Sequence, residues 1–263
     1  MPMIPAAHRA MTGRLDGTAA LVTGASSGLG AATARALAAE GASVALVARR
    51  QEALDEIVSD IERQGGHAVA FATDITERAQ AVAAVQRSAD HFGRLDTVVN
   101  NAGVMFVDPV AEAVPDEWDR MLAVNVRGLL HVAHAALPHL LRAAERDPRH
   151  VADMVNISSV AGIKTGPGSS VYSLTKFGVG AFSEALRQEV ARQHVRVSVI
   201  EPGSAQTELR THMRPEVRAR GHARAGIERL DPADVADAVT YVVTRPRHVA
   251  VNEIVVRPTE QQE

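Results

Sequence analysis

Short apolar runs alternate with longer segments of helical spacing along most of this chain. The apolar runs are rich in Val, Ile and Ala, and most are followed by a turn and a helix-length segment, as at 28–40, 51–64 and 171–193. Such alternation is typical of β-α-β units, and strands that are apolar at nearly every position indicate a parallel sheet covered on both faces. We therefore predict a doubly wound α/β fold with a parallel seven-stranded sheet and helices on both faces. The predicted strands are Ala19–Thr23, Ser43–Ala48, His67–Ala72, Thr97–Asn100, 153–157, 196–200 and Glu253–Val256.

A single domain is predicted for residues 14–263, because no linker-like change in composition, tandem repeat or low-complexity tract divides them. Residues 1–13 are interrupted by prolines and precede the first strand, so we expect an N-terminal tail there. Between residues 204 and 230 the alternation gives way to an Arg-rich segment. Long insertions near the carboxyl ends of strands often form lids or binding loops. We term residues 204–230 the substrate-binding lobe.

Composition and charge exclude several classes of protein. The 28 basic and 31 acidic residues give a net charge of −3, without the basic excess of a nucleic-acid binder. Cysteine is absent, which excludes disulfides, thiolate metal sites and cysteine nucleophiles, and no other metal-ligand pattern stands out. No uninterrupted apolar stretch reaches the roughly 18 residues of a membrane span. We expect a cytoplasmic protein without a metal, a nucleic-acid partner or a membrane partner.

A glycine-rich loop follows the first predicted strand and opens a helix. Gly24 permits a tight turn, Gly28 lets the backbone approach a pyrophosphate, and Gly30 lets the helix pack closely on the strand. The helix N-terminus then offers unpaired N–H groups to phosphate oxygens. The loop could also be a merely structural turn, but its strand, turn and helix context favours dinucleotide binding. The predicted cofactor contacts of this loop are Gly24, Ser26, Ser27, Gly28, Leu29 and Gly30.

The second predicted strand ends in Ala48, Arg49 and Arg50, where an acidic residue would normally bind the ribose 2′-hydroxyl of NAD. Two guanidinium groups can instead bind a 2′-phosphate through charge-assisted contacts that NAD cannot make. We therefore predict NADP as the cofactor, with NADPH preferred over NADH and with Arg49 and Arg50 among its contacts. The alternative is that both arginines form the solvated start of a helix.

Tyr172 and Lys176 are candidate proton-transfer residues. Tyrosine and lysine each occur at two positions in the chain, and this pair stands four residues apart. That spacing puts both side chains on one face of a helix. A cation beside a phenol favours phenolate, so we expect Lys176 to lower the pKa of Tyr172 from its ordinary value near 10. Tyr172 could then exchange protons closer to neutral pH.

Several ordered motifs resemble those of the short-chain dehydrogenase/reductase family over residues 14–258. They are the loop at 23–30, Asp74 after the third strand, Asn-Asn-Ala-Gly at 100–103, Asn125 in Val-Asn-Val-Arg-Gly, Ser-Ser at 158–159, Tyr-Ser-Leu-Thr-Lys at 172–176, and Pro-Gly at 202–203 followed by Thr207. The resemblance implies a Rossmann-like domain and a catalytic tetrad of Asn125, Ser159, Tyr172 and Lys176. Ser159 is preferred to Ser158 because it precedes Tyr172 by 13 residues, the family's usual interval.

The resemblance also implies a role for each tetrad residue. Tyr172 would donate a proton to a carbonyl oxygen as hydride leaves the nicotinamide, and Ser159 would hydrogen-bond that oxygen. Lys176 would hold the nicotinamide ribose, and Asn125 would position a water that relays protons from Lys176. One departure is Ala205, where many relatives carry Val or Ile beside the carboxamide. Further implied cofactor contacts are Asp74, Ile75, Asn101, Ala102, Gly103, Tyr172, Lys176, Pro202, Gly203 and Thr207.

The function implied by the resemblance is reversible NADPH-dependent reduction of a small-molecule aldehyde or ketone to an alcohol. One alternative is an NADP-dependent 3-hydroxy acid dehydrogenase, if the six arginines within 207–229 bind a carboxylate; they could equally form a solvated charged helix. Another is a non-catalytic dinucleotide sensor, although such a sensor needs no proton-donating Tyr172.

The motifs at 48–50, 201–210 and 251–259 look most like the NADP-dependent branch that contains clavulanic acid dehydrogenase and serine dehydrogenases. Helix pairing between subunits in this family implies a homotetramer, with a dimer as the alternative.

Overall fold

The apolar runs form one sheet of seven parallel strands in the computed structural model, which describes residues 13–146, 148–215, 217 and 227–262. Five of the predicted strands keep their bounds, while β5 begins one residue earlier and β6 extends at both ends. The predicted α/β fold with a doubly wound parallel sheet is confirmed. The strands are β1 Ala19–Thr23, β2 Ser43–Ala48, β3 His67–Ala72, β4 Thr97–Asn100, β5 Ala152–Ile157, β6 Val195–Pro202 and β7 Glu253–Val256.

The helices begin and end where local sequence favours it. Pro115 opens α4 at a position where its missing N–H costs nothing, and Asp231 caps α7 through a reciprocal contact with Asp234. In α2 the buried residues Leu54, Ile57 and Ile61 share one face. The helices are α1 Gly28–Ala39, α2 Gln51–Arg63, α3 Arg78–Phe92, α4 Pro115–Met121, α5 Leu129–Ala144, α6 Ser170–Val190 and α7 Pro232–Val243.

Two layers of helices cover the two faces of the sheet. Helices α1, α2 and α7 pack on one face, against residues such as Val22 and Leu46. Helices α3, α5 and α6 pack on the other face, against residues such as Leu21 and Val98. Successive side chains of a strand point to opposite faces, so a strand buried on both sides must be apolar at nearly every position. Each fully buried leucine contributes about 1.5–3 kcal/mol.

The strand order β3-β2-β1-β4-β5-β6-β7 places a topological switch between β1 and β4. Connections leave these neighbouring strands in opposite directions, which opens a crevice beyond their carboxyl ends. The loops after β1, β2, β4 and β5 all meet along this edge. The fold therefore brings together motifs that are more than a hundred residues apart in sequence.

The structure describes two predicted segments only in part. Residues 1–12 of the tail, and residues 216 and 218–226 of the substrate-binding lobe, lie outside the described residues. The two ends of the lobe are joined, since Gln206 N donates to Leu230 O at 2.9 Å and Leu230 N donates to Ser204 O at 3.0 Å. Within the described part of the chain, no helix combines the length and the apolar character needed to cross a membrane.

Candidate active site

A cavity of about 950 Å³ lies beyond the carboxyl ends of the strands. Its size is typical of small-molecule sites. The loops after β1 to β6, the start of α6 and the described part of the lobe line it. All but one of the sequence-predicted cofactor residues line this cavity, together with Ser159, Tyr172 and Lys176. The exception is Gly30, which lies against Gly24 O, and Asn125 lies behind the cavity wall. The sequence reasoning thus selected residues that the fold brings together.

The glycine-rich loop is fitted for an anion. Gly24 and Gly28 both have positive φ, a conformation that residues with a side chain rarely adopt. A Cβ atom at Gly30 would lie 2.3 Å from Gly24 O, so only glycine fits there. Ser27 precedes α1 without capping it through its side chain, which leaves the first N–H groups of the helix available to a phosphate.

Asn101 braces this loop. Its side-chain Nδ2 donates to Thr23 O at 2.9 Å and to Gly24 O at 3.2 Å. The backbone N–H groups of Asn101 and Ala102 both donate to Thr23 Oγ1. The sequence motif therefore holds the turn that follows β1, in addition to its predicted place beside the cofactor.

Arg49 and Arg50 are exposed at the end of β2 and line the cavity, and no acidic residue ends this strand. Arg50 donates from Nη2 to Ser26 Oγ at 3.2 Å and to Glu208 Oε2 at 2.9 Å. Asp74 and Ile75 follow β3 on the same side, and Asp74 Oδ1 accepts from Thr76 N at 2.9 Å. This end of the cavity is consequently suited to a phosphate-bearing nucleotide.

Ser159, Tyr172 and Lys176 meet at the other end of the cavity. Ser159 Oγ accepts from Ala161 N at 3.1 Å, which holds the side chain at the end of β5. Lys176 Nζ donates to Ile157 O at 2.8 Å and lies 5.9 Å from the centroid of the Tyr172 ring. The neighbouring Ser158 is buried and donates to Lys176 O at 3.1 Å, a position from which it braces α6.

Asn125 lies in a π-helical segment, Leu122–Gly128, between α4 and α5. Such segments add a residue to a turn and often mark functional sites. Asn125 accepts from Val104 N at 2.8 Å and donates to Val104 O at 2.9 Å and to Thr175 Oγ1 at 3.2 Å. A Cβ atom at Gly103 would lie 3.4 Å from Asn125 Oδ1 and 3.8 Å from Lys176 Nζ, so these two groups flank Gly103. The predicted water relay through Asn125 stays a prediction.

Burial controls the proton affinities of the pair. It raises the pKa of Tyr172 to about 12, against a hydrogen bond with Ser159 that acts in the opposite direction. Burial also lowers the pKa of Lys176 to about 8. The expected lowering of the Tyr172 pKa by Lys176 was therefore wrong for this structure, because desolvation outweighs the cation and the ammonium group is bonded to Ile157 O. Tyr172 therefore keeps its proton near neutral pH.

Pro202, Gly203 and Thr207 border the cavity at the end of β6. Gly203 N donates to Val256 O at 2.7 Å, and a Cβ atom at Gly203 would lie 2.4 Å from Gln261 Oε1. The chain segment after β7 thus holds the start of the lobe in place. The departure at Ala205 leaves a small side chain packed against the core at this point.

Arg214 of the lobe is paired with acidic residues. Its Nη2 contacts Asp108 Oδ2, and its Nε lies 3.3 Å from Glu117 Oε1. Because two carboxylates of the protein already neutralise the charge of Arg214, this arginine does not support the alternative in which the lobe binds a substrate carboxylate. The side chain of Arg210 and all of Arg218, Arg220 and Arg224 lie outside what the structure describes.

Sequence reasoning missed four residues of the site. Arg120 and Lys164 line the cavity beside the catalytic candidates, Thr175 bonds Asn125, and Glu208 bonds Arg50. Lys164 could have been singled out as the second of two lysines. Thr175 and Glu208 carry no local signal, because their partners are 50 and 158 residues away in sequence. Within the described part of the chain, no group of three His, Asp or Glu side chains could hold a metal ion.

The chain is similar in sequence to known oxidoreductases. The family model described as short chain dehydrogenase matches residues 18–218. The chain is 41% identical over 250 residues to the glycine betaine reductase ATRR of Emericella nidulans, covering 95% of this chain but only 19% of that longer protein. It is 37% identical to an uncharacterized oxidoreductase of Staphylococcus aureus strain USA300, covering 91% of this chain and 96% of that protein.

A solved structure is similar along almost its whole length. The closed form of serine dehydrogenase complexed with NADP⁺ superposes with a TM-score of 0.83 at 29% identity, covering 94% of this chain and 97% of that one.

Proposed function

Because this chain belongs to the short-chain dehydrogenase/reductase family, we propose that it is an NADPH-dependent oxidoreductase that reversibly reduces an aldehyde or a ketone to an alcohol. One observation carries the proposal. Protonated Tyr172, bonded to Ser159, lies at one end of a cavity whose other end presents Arg49 and Arg50. A bound nicotinamide cofactor extends from a phosphate-binding site to a reaction site, as this arrangement requires.

NADP is the cofactor that the residues fit. The uncapped start of α1 and the positive φ of Gly28 in the preceding loop suit a pyrophosphate, and the two guanidinium groups suit a 2′-phosphate. The similar serine dehydrogenase structure holds NADP⁺. When bound, the cofactor supplies the hydride of the reduction.

The side chains of this chain supply the proton and the orientation. Tyr172 donates its phenolic proton to the carbonyl oxygen, and Ser159 hydrogen-bonds the same oxygen. Lys176 is protonated below about pH 8 and provides a positive charge beside the Tyr172 phenol while the phenol loses its proton. Asn125 positions Val104 and, through Thr175, the first turns of α6. Proton donation by Tyr172, the hydrogen bond from Ser159 and the charge of Lys176 favour the transition state over bound substrate.

Replacing both Arg49 and Arg50 by Ala is expected to raise the Kd for NADPH by about 10- to 100-fold, since charge-assisted hydrogen bonds to the 2′-phosphate are lost. The Kd for NADH should stay within about twofold. Fluorescence titration measures both, with Arg192→Ala as a control that removes an exposed arginine on a distant turn. Equal losses for the two cofactors would show that these arginines do not read the 2′-phosphate.

Turnover with a panel of aliphatic, aromatic and heterocyclic aldehydes and ketones tests the reaction itself. NADPH oxidation is followed for the wild type, with Tyr172→Phe as the blank. Turnover that is lost in the variant supports the reductase. Binding of NADPH without turnover of any panel member favours the non-catalytic sensor.

A second candidate, an NADP-dependent 3-hydroxy acid dehydrogenase, is favoured by the charges around the substrate end. Besides Lys176, the positively charged side chains that line this end are those of Arg120 and Lys164, and no described acidic group forms an ion pair with either. Two cations at a cavity mouth attract an anionic substrate. Faster turnover of carboxylate-bearing panel members, reduced in Lys164→Met, would favour this candidate.

The branch, assembly and location that we propose follow the sequence resemblance. We place the chain beside clavulanic acid dehydrogenase and serine dehydrogenase, and we expect a cytoplasmic homotetramer, with a dimer as the alternative. Leu130 of α5 and Leu174 and Phe177 of α6 are exposed apolar side chains that a subunit interface would cover.

A further inference from the structure

Glu208 reaches from the lobe to the predicted 2′-phosphate site. Its Oε2 lies 2.9 Å from Arg50 Nη2, and both side chains are half-exposed, at 53% each. The same Nη2 lies 3.3 Å from Ser26 O and 3.2 Å from Ser26 Oγ. All three residues line the cavity. A carboxylate therefore stands beside the guanidinium group that should bind a phosphate.

The neighbouring residue holds Glu208 in this position. A Cβ atom at Gly28 would lie 3.2 Å from Thr207 Cγ2, so the Thr207 side chain rests against the glycine-rich loop. Thr207 Oγ1 also accepts from Leu209 N at 3.4 Å, at the start of the short turn Glu208–His212. The start of the lobe is thus docked on the loop from which Arg50 receives its other contacts.

We propose that Glu208 is a specificity-determining residue for the cofactor, whose carboxylate competes with the 2′-phosphate of NADP(H) for Arg50. The proposal rests on the proposed use of NADP. A phosphomonoester carries about −1.5 to −2 charges at pH 7, so the 2′-phosphate can displace the single carboxylate of Glu208 from Arg50. The displaced carboxylate stays nearby and repels the phosphate. NADH has a hydroxyl at this place and meets no such repulsion. Glu208 therefore reduces the preference for NADP(H) that Arg49 and Arg50 create.

The size of the effect follows from the exposure of the pair. Two charges near the surface interact through a high dielectric and are screened by salt, which limits the repulsion to a modest amount. Removing the charge of Glu208 should tighten binding of a 2′-phosphate ligand by about 3- to 10-fold. The gain should shrink at high ionic strength, because both the competition and the repulsion are electrostatic.

The test uses 2′,5′-ADP and 5′-AMP, which differ only by the 2′-phosphate, with calorimetric titration of the full chain, so that no turnover is needed. In Glu208→Gln the Kd for 2′,5′-ADP is expected to fall about 3- to 10-fold, while that for 5′-AMP stays within about twofold. Glu189→Gln, which removes the charge of an exposed glutamate at the far end of α6, should change neither. Circular dichroism confirms that each variant is folded.

Three results would overturn the proposal. The first is an unchanged Kd for 2′,5′-ADP in Glu208→Gln. The second is a raised Kd for 2′,5′-ADP in this variant, which would mean that Glu208 helps to retain the ligand. The third is equally tighter binding of both probes. Failure of the NADP assignment itself has a different signature. Wild-type protein would then bind 2′,5′-ADP no more tightly than 5′-AMP.

Discussion

Replacing Tyr172 by Phe is expected to lower kcat for carbonyl reduction by roughly 10²- to 10⁴-fold, the usual contribution of a positioned proton donor. The variant lacks only the hydroxyl that bonds Ser159 and holds the transferable proton. Its ring keeps the packing against Val104, Phe106 and Met121, so the fold should be unaffected. The Kd for NADPH should stay within about twofold, because the phosphate end of the cavity is unchanged.

Steady-state rates with the best panel substrate and a fluorescence titration with NADPH measure the two quantities separately. Tyr241→Phe is the matched control, since Tyr241 is the other tyrosine and is 48% exposed on α7. This control should retain wild-type turnover. Near-normal turnover in Tyr172→Phe would mean that another group donates the proton, and a large loss of NADPH binding would mean that Tyr172 acts chiefly in cofactor binding.

Replacing Lys176 by Met is expected to lower kcat/KM for reduction by roughly 10²-fold or more and to change the pH profile. Burial lowers the pKa of Lys176 to about 8, so the ammonium is present below that pH and is lost above it. Wild-type kcat/KM should therefore fall as the pH rises through about 8, because the positive charge near the developing phenolate disappears. Methionine has a similar length and no charge, so its activity should be low and lack this transition.

The pH dependence of kcat/KM between about pH 6 and 10 provides the measurement, with circular dichroism to show that the variant is folded. Lys164→Met is the matched control for the assignment, since Lys164 is the other lysine of the chain. Whatever its effect on substrate affinity, that variant should keep the transition near pH 8. A transition that persists in Lys176→Met would assign the titration to another group.

The strands and the glycine-rich loop could be predicted because their signals are local. A strand buried on both faces must be apolar at nearly every position, so five or six consecutive apolar residues are enough to predict it, as in β2. Gly30 is required by a contact with Gly24, six residues away. Predictions that depend on neighbours in sequence therefore succeeded.

The misjudged features depend on the surroundings of a side chain in space. The pKa of Tyr172 is set by burial among residues from several elements, and spacing alone suggested the opposite direction. For Arg214 the sequence left both a carboxylate-binding role and a solvated helix open, and its contacts with Asp108 and Glu117 oppose the first. The π-helical segment around Asn125 has no sequence signature that we recognised.

By itself the sequence determined the fold class, because the apolar pattern of each strand is local. Its ordered motifs also predicted the cofactor loop and, through the family resemblance, the candidate tetrad. Only the tertiary structure decided which charges meet. Arg50 with Glu208 joins residues 158 positions apart, and Arg214 with Asp108 joins residues 106 positions apart. Electrostatic energies depend on distance and burial in space, and a linear pattern of residues records neither.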